Sequence, residues 1–218
     1  MEINLMANYP TTNRTKYIQR SLNKNYEEIK IVKNFDKEYF DGDREFGLGG
    51  YYYDPKFFKN VVDDFIKWYE ISNDASILDI GCGKGFMLHD FLLAKPNIKI
   101  AGLDISKYCF EKSISTVKPF FNIGSCDNLP YKDKSFDYVF SIATIHNLDI
   151  EGVKKSLKEI VRVTKKNAFI KVNGYKNENE KNNLLGWNLV ANTILHVDEW
   201  KSIFEETGYI YDYEFFST

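Results

Sequence analysis

Apolar positions along the first fifty residues are scattered among Lys, Asn and Glu, and there only residues 14 to 32 carry a spacing that predicts a helix. Further along the chain the pattern sharpens. Pro55 can open a helix at its first turn, and Phe58, Val61, Val62, Phe65 and Trp68 continue it on one face at the helical period. SILDI at 76–80 is a short apolar run of the kind a fully covered strand needs, and KGFMLHDFLLAK behind it predicts a helix. IKIAGLDI at 98–105 is a second strand, followed by a helix predicted from Ser106, a capping residue, to Val117. PFFNIG supplies a third strand and SFDYVFSI at 135–142 a fourth. Residues 150 to 164 place Val153, Leu157, Ile160 and Val161 on one helical face, and AFIKVNGY at 168–175 is a fifth strand.

Strands that alternate with helices of this length predict an α/β fold. It is a doubly wound, Rossmann-like, mostly parallel sheet with helices on both faces, because parallel crossovers are right-handed and cover both surfaces. KNENEKNNLLG at 176–186 is polar and predicts a surface loop, whereas WNLVANTILHV suits a strand or a helix equally. DEWKSIFEETG predicts a helix closed by Gly208, and YIYDYEFF alternates as a final strand. Residues 1–54 are expected to form an N-terminal appendage, a helical and loop lid folded over the sheet, with residues 55–218 as the main domain.

Composition narrows the partners more than the fold. Hydrophobic residues at 44% and charged residues at 28% suit an ordinary soluble domain, and the 16% of aromatic residues can fill a sizeable core. A formal charge of −2, without a Lys/Arg block, argues against nucleic acid or a membrane surface as partner. Lys154, Lys155 and Lys158 fall at helical spacing and are expected on a solvated face. Cys82, Cys109 and Cys126 are odd in number and lack CxxC spacing, so neither a disulfide framework nor a metal site is expected. No apolar run approaches the ~18–20 residues of a membrane span. Residues 1–17 do not resemble a signal peptide, and the expected compartment is a reducing cytoplasm.

The candidate chemistry concentrates in LDIGCGKG. This turn leaves the first strand for a helix at the carboxyl edge of a parallel sheet, where ligands bind if strand order reverses. Glycines at 81, 83 and 85 let a ligand approach bare backbone. A dinucleotide pyrophosphate calls for GxGxxG with its third glycine at position 86, but Phe86 stands there. Asp79, just before the turn, is unhelpful to a pyrophosphate and suits a cation or an ammonium group.

Together with GLDIS at 102–106 and GSCDNLPY at 124–131, this string resembles the class I S-adenosylmethionine-dependent methyltransferases, small-molecule branch, over roughly residues 60 to 175. The resemblance implies S-adenosyl-L-methionine as cofactor. Asp79 with Gly81, Cys82 and Gly83 would meet its methionine part. Asp104, at the end of the second strand, would accept hydrogen bonds from the ribose hydroxyls, with Ile105 beside it. Ser125, Cys126 and Asp127 would lie at the adenine. Ser125 stands where the family usually has Asp, and Cys126 reads equally as a small buried residue. Ser141 and Ile142 close the fourth strand and would line the methyl-donor pocket.

On the acceptor side, His146 is the first candidate for a base, since an imidazole titrates near neutral pH. Packing beside the cofactor with a backbone hydrogen bond is its alternative reading. His196 is the second candidate, and His89 reads as structural. In GLGGYYYD, Gly49, Gly50, Tyr51 and Tyr52 suggest a segment, residues 39 to 54, that closes over the cofactor. Tyrosines there could cover a sulfonium or reach the acceptor, with Tyr51 counted among the catalytic candidates. The alternative is a loop pinned by aromatic packing. The implied reaction is methyl transfer to oxygen or nitrogen, or to sulfur or carbon, of a small-molecule acceptor. A nicotinamide-dependent oxidoreductase and a non-catalytic S-adenosylmethionine-binding module are the competing readings. Finally, the family sheet ends in two strands after the last helix, the final one antiparallel. Only one is found here, so either WNLVANTILHV supplies the missing strand or the edge is left unfilled, and an unfilled edge could pair with a second copy as a homodimer.

Overall fold

Strands and helices alternate through most of the chain in a computed structural model that describes residues 1–10, 17 and 19–217. The described strands are β1 (Ser76–Ile80), β2 (Lys99–Asp104), β3 (Phe121–Ile123), β4 (Phe136–Ile142), β5 (Thr164–Tyr175), β6 (Leu195–His196) and β7 (Asp212–Phe216). The described helices are α1 (Tyr26–Val32), α2 (Lys37–Asp41), α3 (Pro55–Trp68), α4 (Phe86–Ala94), α5 (Lys107–Lys112), α6 (Ile150–Val163), α7 (Glu178–Trp187) and α8 (Val197–Thr207). β1 is central, with β2 then β3 on one side and β4 then β5 on the other. The far side of β5 is shared end to end: β7 pairs with residues 169–173 and β6 with Gly174 and Tyr175. Strand order reverses between β1 and β4, so the carboxyl ends of β1, β2 and β4 open onto one crevice.

Successive side chains of each strand point to opposite faces, which divides the core in two. On one face Ile77, Phe140 and Phe169 meet Val61, Val62 and Phe65 of α3 and Leu88 and Phe91 of α4. The Phe65 ring stands edge-on at 4.6 Å from Phe140 and 5.1 Å from Phe169. On the other face Leu78, Ile80, Val139 and Ile170 meet Leu157 and Ile160 of α6 and Trp200 and Phe204 of α8. Each such side chain, fully buried, contributes about 1.5–3 kcal/mol. α3 starts where expected, with Pro55 in its first turn and the Asp54 carboxylate accepting from Lys56 N.

Several elements depart from the expectation. Of the helix over residues 14 to 32, positions 14–16 and 18 lie outside the described residues; Ser21 to Asn23 form turns, and α1 begins only at Tyr26 behind the capping box of Asn25 and Glu28. α5 stops at Lys112 rather than Val117, because the chain swings in so that Ile114 N donates to Lys84 O at 3.0 Å. Residues 176–186 are not a loop: α7 forms there, capped by Asn177, which accepts from Glu180 N. The ambiguous WNLVANTILHV is mostly irregular, with only Leu195 and His196 in a strand.

The sheet edge also differs. β7 runs parallel to β5, not antiparallel. Its outer side is covered by the chain's own first residues: Ile3 N donates to Tyr213 O at 2.9 Å and Tyr213 N to Met1 O at 3.0 Å. The outer side of β7, where an unfilled edge could have met a second copy, is thus occupied from within. The rest of the N-terminal segment packs Leu5, Met6 and Phe40 onto the α3/α4 core, and Val32 with Leu189 and Val190.

Candidate active site at the carboxyl edge of the sheet

At the end of β1 the backbone turns at Gly81 with φ +78°. Gly81 N and Cys82 N both donate to Leu103 O, at 2.7 and 3.1 Å, which fastens the turn to β2. A Cβ on Gly81 would lie 1.9 Å from Thr144 Oγ1, so the approach of the segment after β4 admits no side chain there. Gly85 then opens α4 with φ +83°, and a Cβ on it would meet Val117 at 2.7 Å. The inward swing that shortens α5 delivers this valine. Phe86, where a dinucleotide motif has glycine, is buried with its ring 4.8 Å from that of Tyr51.

Two carboxylates sit behind this turn. Asp104 accepts from Gly83 N at 2.8 Å and Ser106 N at 2.9 Å, leaving further lone pairs directed at the crevice. Burial raises its pKa. Asp79 is buried, and burial with the nearby Asp104 charge pushes its pKa up to about 8. Among the described residues no cation pairs with it.

A cavity of about 560 Å³, within the usual ~300–1,000 Å³ of small-molecule sites, occupies the crevice. Gly81, Gly83, Asp104, Ile105, Ser125 and Cys126 line one end of it, and Ile142 and His146 continue the wall past β4. Other candidates sit behind this lining. Asp79 and Ser141 are buried beneath it, and the Cys82 sulfur packs against Gly102, where a Cβ would come within 2.8 Å of it. Asp127 accepts from Ser125 Oγ at 2.5 Å and so orients that hydroxyl.

Residues 39 to 54 form the roof. Gly50, Tyr51 and Tyr52 line the cavity, while Gly49 packs on Arg44 outside it. The Tyr51 ring lies over Gly83, where a Cβ would touch it at 2.9 Å. The roof is fastened by a part-buried ion pair that the sequence did not announce. Lys84, inside the glycine turn, donates to both oxygens of Asp41 at 2.8 and 2.6 Å and to Tyr51 O at 2.8 Å. Tyr108 OH adds a 2.6 Å bond to Asp41. Burial works against the Asp41 charge, but the hydrogen bonds from Lys84 and Tyr108 prevail and hold its pKa below the ordinary value. The available signal was a long cation placed between two glycines of a turn; its partner, 43 residues away, left none.

The histidines separate clearly. His146 is buried at the cavity wall, its Nδ1 accepts from Asn173 N at 3.3 Å, and burial lowers its pKa to about 4. Its proton therefore resides on Nε2, which makes the ring a hydrogen-bond donor at neutral pH rather than a ready base. His196 lies outside the cavity lining and caps α8, its Nδ1 accepting from Asp198 N at 3.2 Å. His89 contacts Thr116 Oγ1 at 2.8 Å on the surface, the structural place expected for it. Sequence reasoning also missed Arg20, Arg44 and Asn173, all of which line the cavity.

Residues 78–172 match the family of methyltransferase domains. The chain is 31% identical over 149 residues to a tRNA (carboxymethyluridine(34)-5-O)-methyltransferase of Arabidopsis thaliana, covering 62% of this chain and 34% of that protein. It is 30% identical over 166 residues to the sterol 4-C-methyltransferase strm-1 of Caenorhabditis elegans, covering 64% of this chain and 47% of that one. The chain thus spans about a third to a half of the length of these curated relatives. In fold it is similar to the crystal structure of YcgJ from Bacillus subtilis, with a TM-score of 0.54 at 23% identity over 67% of this chain and 66% of that one.

Proposed function

We propose, from the match of residues 78–172 to the family of methyltransferase domains, that the chain is a class I S-adenosylmethionine-dependent methyltransferase that transfers a methyl group to an oxygen or nitrogen atom of a small-molecule acceptor. The observation that carries the reading is the shared cavity wall, in which the glycine turn, the Asp104 carboxylate and the Ser125–Cys126 backbone line one end of a single chamber. These groups fit the cofactor's chemistry. Asp79, a buried acid with no described cation beside it, suits an ammonium; Asp104 has lone pairs free for ribose hydroxyls; Ser125 and the backbone at Cys126 suit an adenine edge.

S-adenosylmethionine supplies an already activated methyl group when bound, so the protein's tasks are alignment and exclusion of water. Tyr51 over Gly83, with the Lys84–Asp41 pair beneath it, makes residues 39 to 54 a lid for those tasks. The N-terminal 54 residues are accordingly the part that selects the acceptor, and residues 55–218 the part that holds the cofactor. His146 acts as a donor that positions the acceptor, and His196 takes no part. A chamber with room beyond the cofactor end favours catalysis over a module that only binds. The balance of 31 acidic against 29 basic residues favours a small acceptor over RNA, the substrate class named for the Arabidopsis relative.

Two measurements test this. Calorimetry with S-adenosylhomocysteine is expected to give one site of micromolar affinity, and methyl-labelled S-adenosylmethionine is expected to label a component of a small-metabolite extract. Absence of binding heat on folded protein refutes the cofactor assignment, and binding without label transfer to any small molecule refutes the enzymatic one.

A further inference from the structure

Two guanidinium groups, those of Arg20 and Arg44, also line the cavity. Arg20 is buried, and its guanidinium donates through Nε to Trp187 O at 2.8 Å and through Nη1 to Arg44 O at 3.0 Å and Gly47 O at 2.9 Å. Arg44 donates through Nη1 to Gly47 O at 2.6 Å. A guanidinium has five N–H groups, so the Nη2 donors of both remain unassigned among the described residues. Neither arginine forms an ion pair with a described carboxylate, and the sequence at 11–16 contains no acid. The nearby Glu45 is itself paired with Lys24 at 3.5 Å. Burial and the neighbouring Arg44 charge lower the pKa of Arg20 to about 10, outweighing the opposing influence of Tyr39, Glu45 and Tyr17.

A second observation points the same way. Asn173 is buried and lines the same cavity, and its Nδ2 has no hydrogen-bond partner among the described residues. Packing joins it to the arginines. The Arg20 guanidinium lies 4.9 Å over the Trp187 ring, that ring is 5.5 Å from Phe216, and Phe216 is the strand partner of Asn173. His146 Nε2–H belongs to the same wall. Lys171 there is already paired with Glu214. The orphan acceptor on this side, Asn147 Oδ1, belongs to an amide whose only other bond is 3.5 Å long, so either of its ends can face the cavity. Around these polar groups stand Phe35, Tyr39, Leu48 and Leu189.

We propose that the methyl acceptor is an oxyanion-bearing small molecule with a flat apolar body, its carboxylate or phosphate held by Arg20 and Arg44 and its body lying among the aromatic side chains. A planar guanidinium matches an oxyanion through parallel charge-assisted bonds, and no described carboxylate forms an ion pair with either of these two. The inference rests on the methyl-transfer reading, since it names the substrate class of that site.

The test is calorimetry of benzoate, benzamide and phenyl phosphate into the protein, both free and saturated with S-adenosylhomocysteine. Benzoate or phenyl phosphate is expected to bind the saturated protein at least about tenfold more tightly than benzamide, as befits a charge-assisted bond in a dry site; which of the two anions binds better identifies the acceptor's group. Arg44→Gln is expected to remove that preference and Arg44→Lys to keep part of it, with S-adenosylhomocysteine affinity unchanged in both. Arg44 is the residue to vary because Arg20 also clamps three backbone carbonyls and its loss can unfold the roof. Equal binding of benzoate and benzamide, or binding of none, overturns the proposal while leaving the cofactor site standing. Anion binding that S-adenosylhomocysteine abolishes also overturns it, because the arginines then hold the cofactor's own carboxylate. If S-adenosylhomocysteine itself fails to bind, the methyltransferase reading falls, and the preference measured on free protein alone decides whether the arginines form an anion site.

Discussion

Replacing Asp79 by Asn isolates the titration of one buried acid. The Asp79 residue is 4% exposed, and its carboxyl is held at a pKa of about 8 by burial and by the Asp104 charge, against an ordinary value of 3.8. Folding therefore favours the neutral acid. The stability this contributes is fully present below pH 3.8 and is lost as pH rises through about 8. Inside that window each tenfold change in proton activity removes about one RT ln 10 of stability, so between pH 5 and 7 the wild type is expected to lose about 3 kcal/mol relative to Asp79→Asn, which does not titrate. Urea unfolding of both proteins at a series of pH values measures this, because ionising groups that do not interact with Asp79 cancel in the difference. A ligand ammonium beside Asp79 favours the ionised form instead. Affinity for S-adenosylhomocysteine should then rise close to tenfold per unit between pH 6 and 7 in the wild type, with a proton released to buffer, and stay level in the variant. A stability difference that does not change with pH refutes the reasoning, since Asp79 would then be ionised in the free fold.

Three further outcomes are expected. Gly81→Ala puts a methyl 1.9 Å from Thr144 Oγ1 at a residue with φ +78°, so thermal unfolding should show a loss of about 2–3 kcal/mol or more, and calorimetry no S-adenosylhomocysteine binding. Lys84→Met leaves the half-buried Asp41 without its cation and should destabilise by about 1–3 kcal/mol, whereas the double variant Lys84→Met, Asp41→Asn should recover much of that in the same melt. His146, with a pKa lowered to about 4, should contribute no ionisation to the pH–rate profile of methyl transfer between pH 5.5 and 8, and His146→Gln should leave the shape of that profile unchanged.

What could be read from the chain followed from how local each cause is. β1 and α3 match their expected bounds closely because burial on both faces, or on one helical stripe, writes itself into consecutive residues. The glycine turn and Asp104 were legible for the same reason: backbone geometry and a strand end need particular residues at fixed places. α7 was missed although Asn177 and Glu180 have the spacing of a helix start, because few of its residues are apolar and composition outweighed the cap. The early end of α5 depends on Lys84 O, a partner 30 residues back that no window includes. Lys84–Asp41 and the Arg20–Arg44 pair are long-range arrangements, and neither residue of a pair constrains its neighbours in a way the sequence records. His146 was found by residue type, but its protonation follows from Asn173 N and from burial, which only the fold supplies.

The hydrogen bonds between residues 1–3 and Tyr213 make this short segment a stopper on the outer side of β7. Beneath it lies Asp-Tyr-Glu-Phe-Phe, a run of β7 rich in rings and ready to template another strand. Removal of residues 1–5 should therefore make the protein precipitate on mild warming, well before its helices melt. Light scattering and far-ultraviolet dichroism recorded side by side would separate the two events.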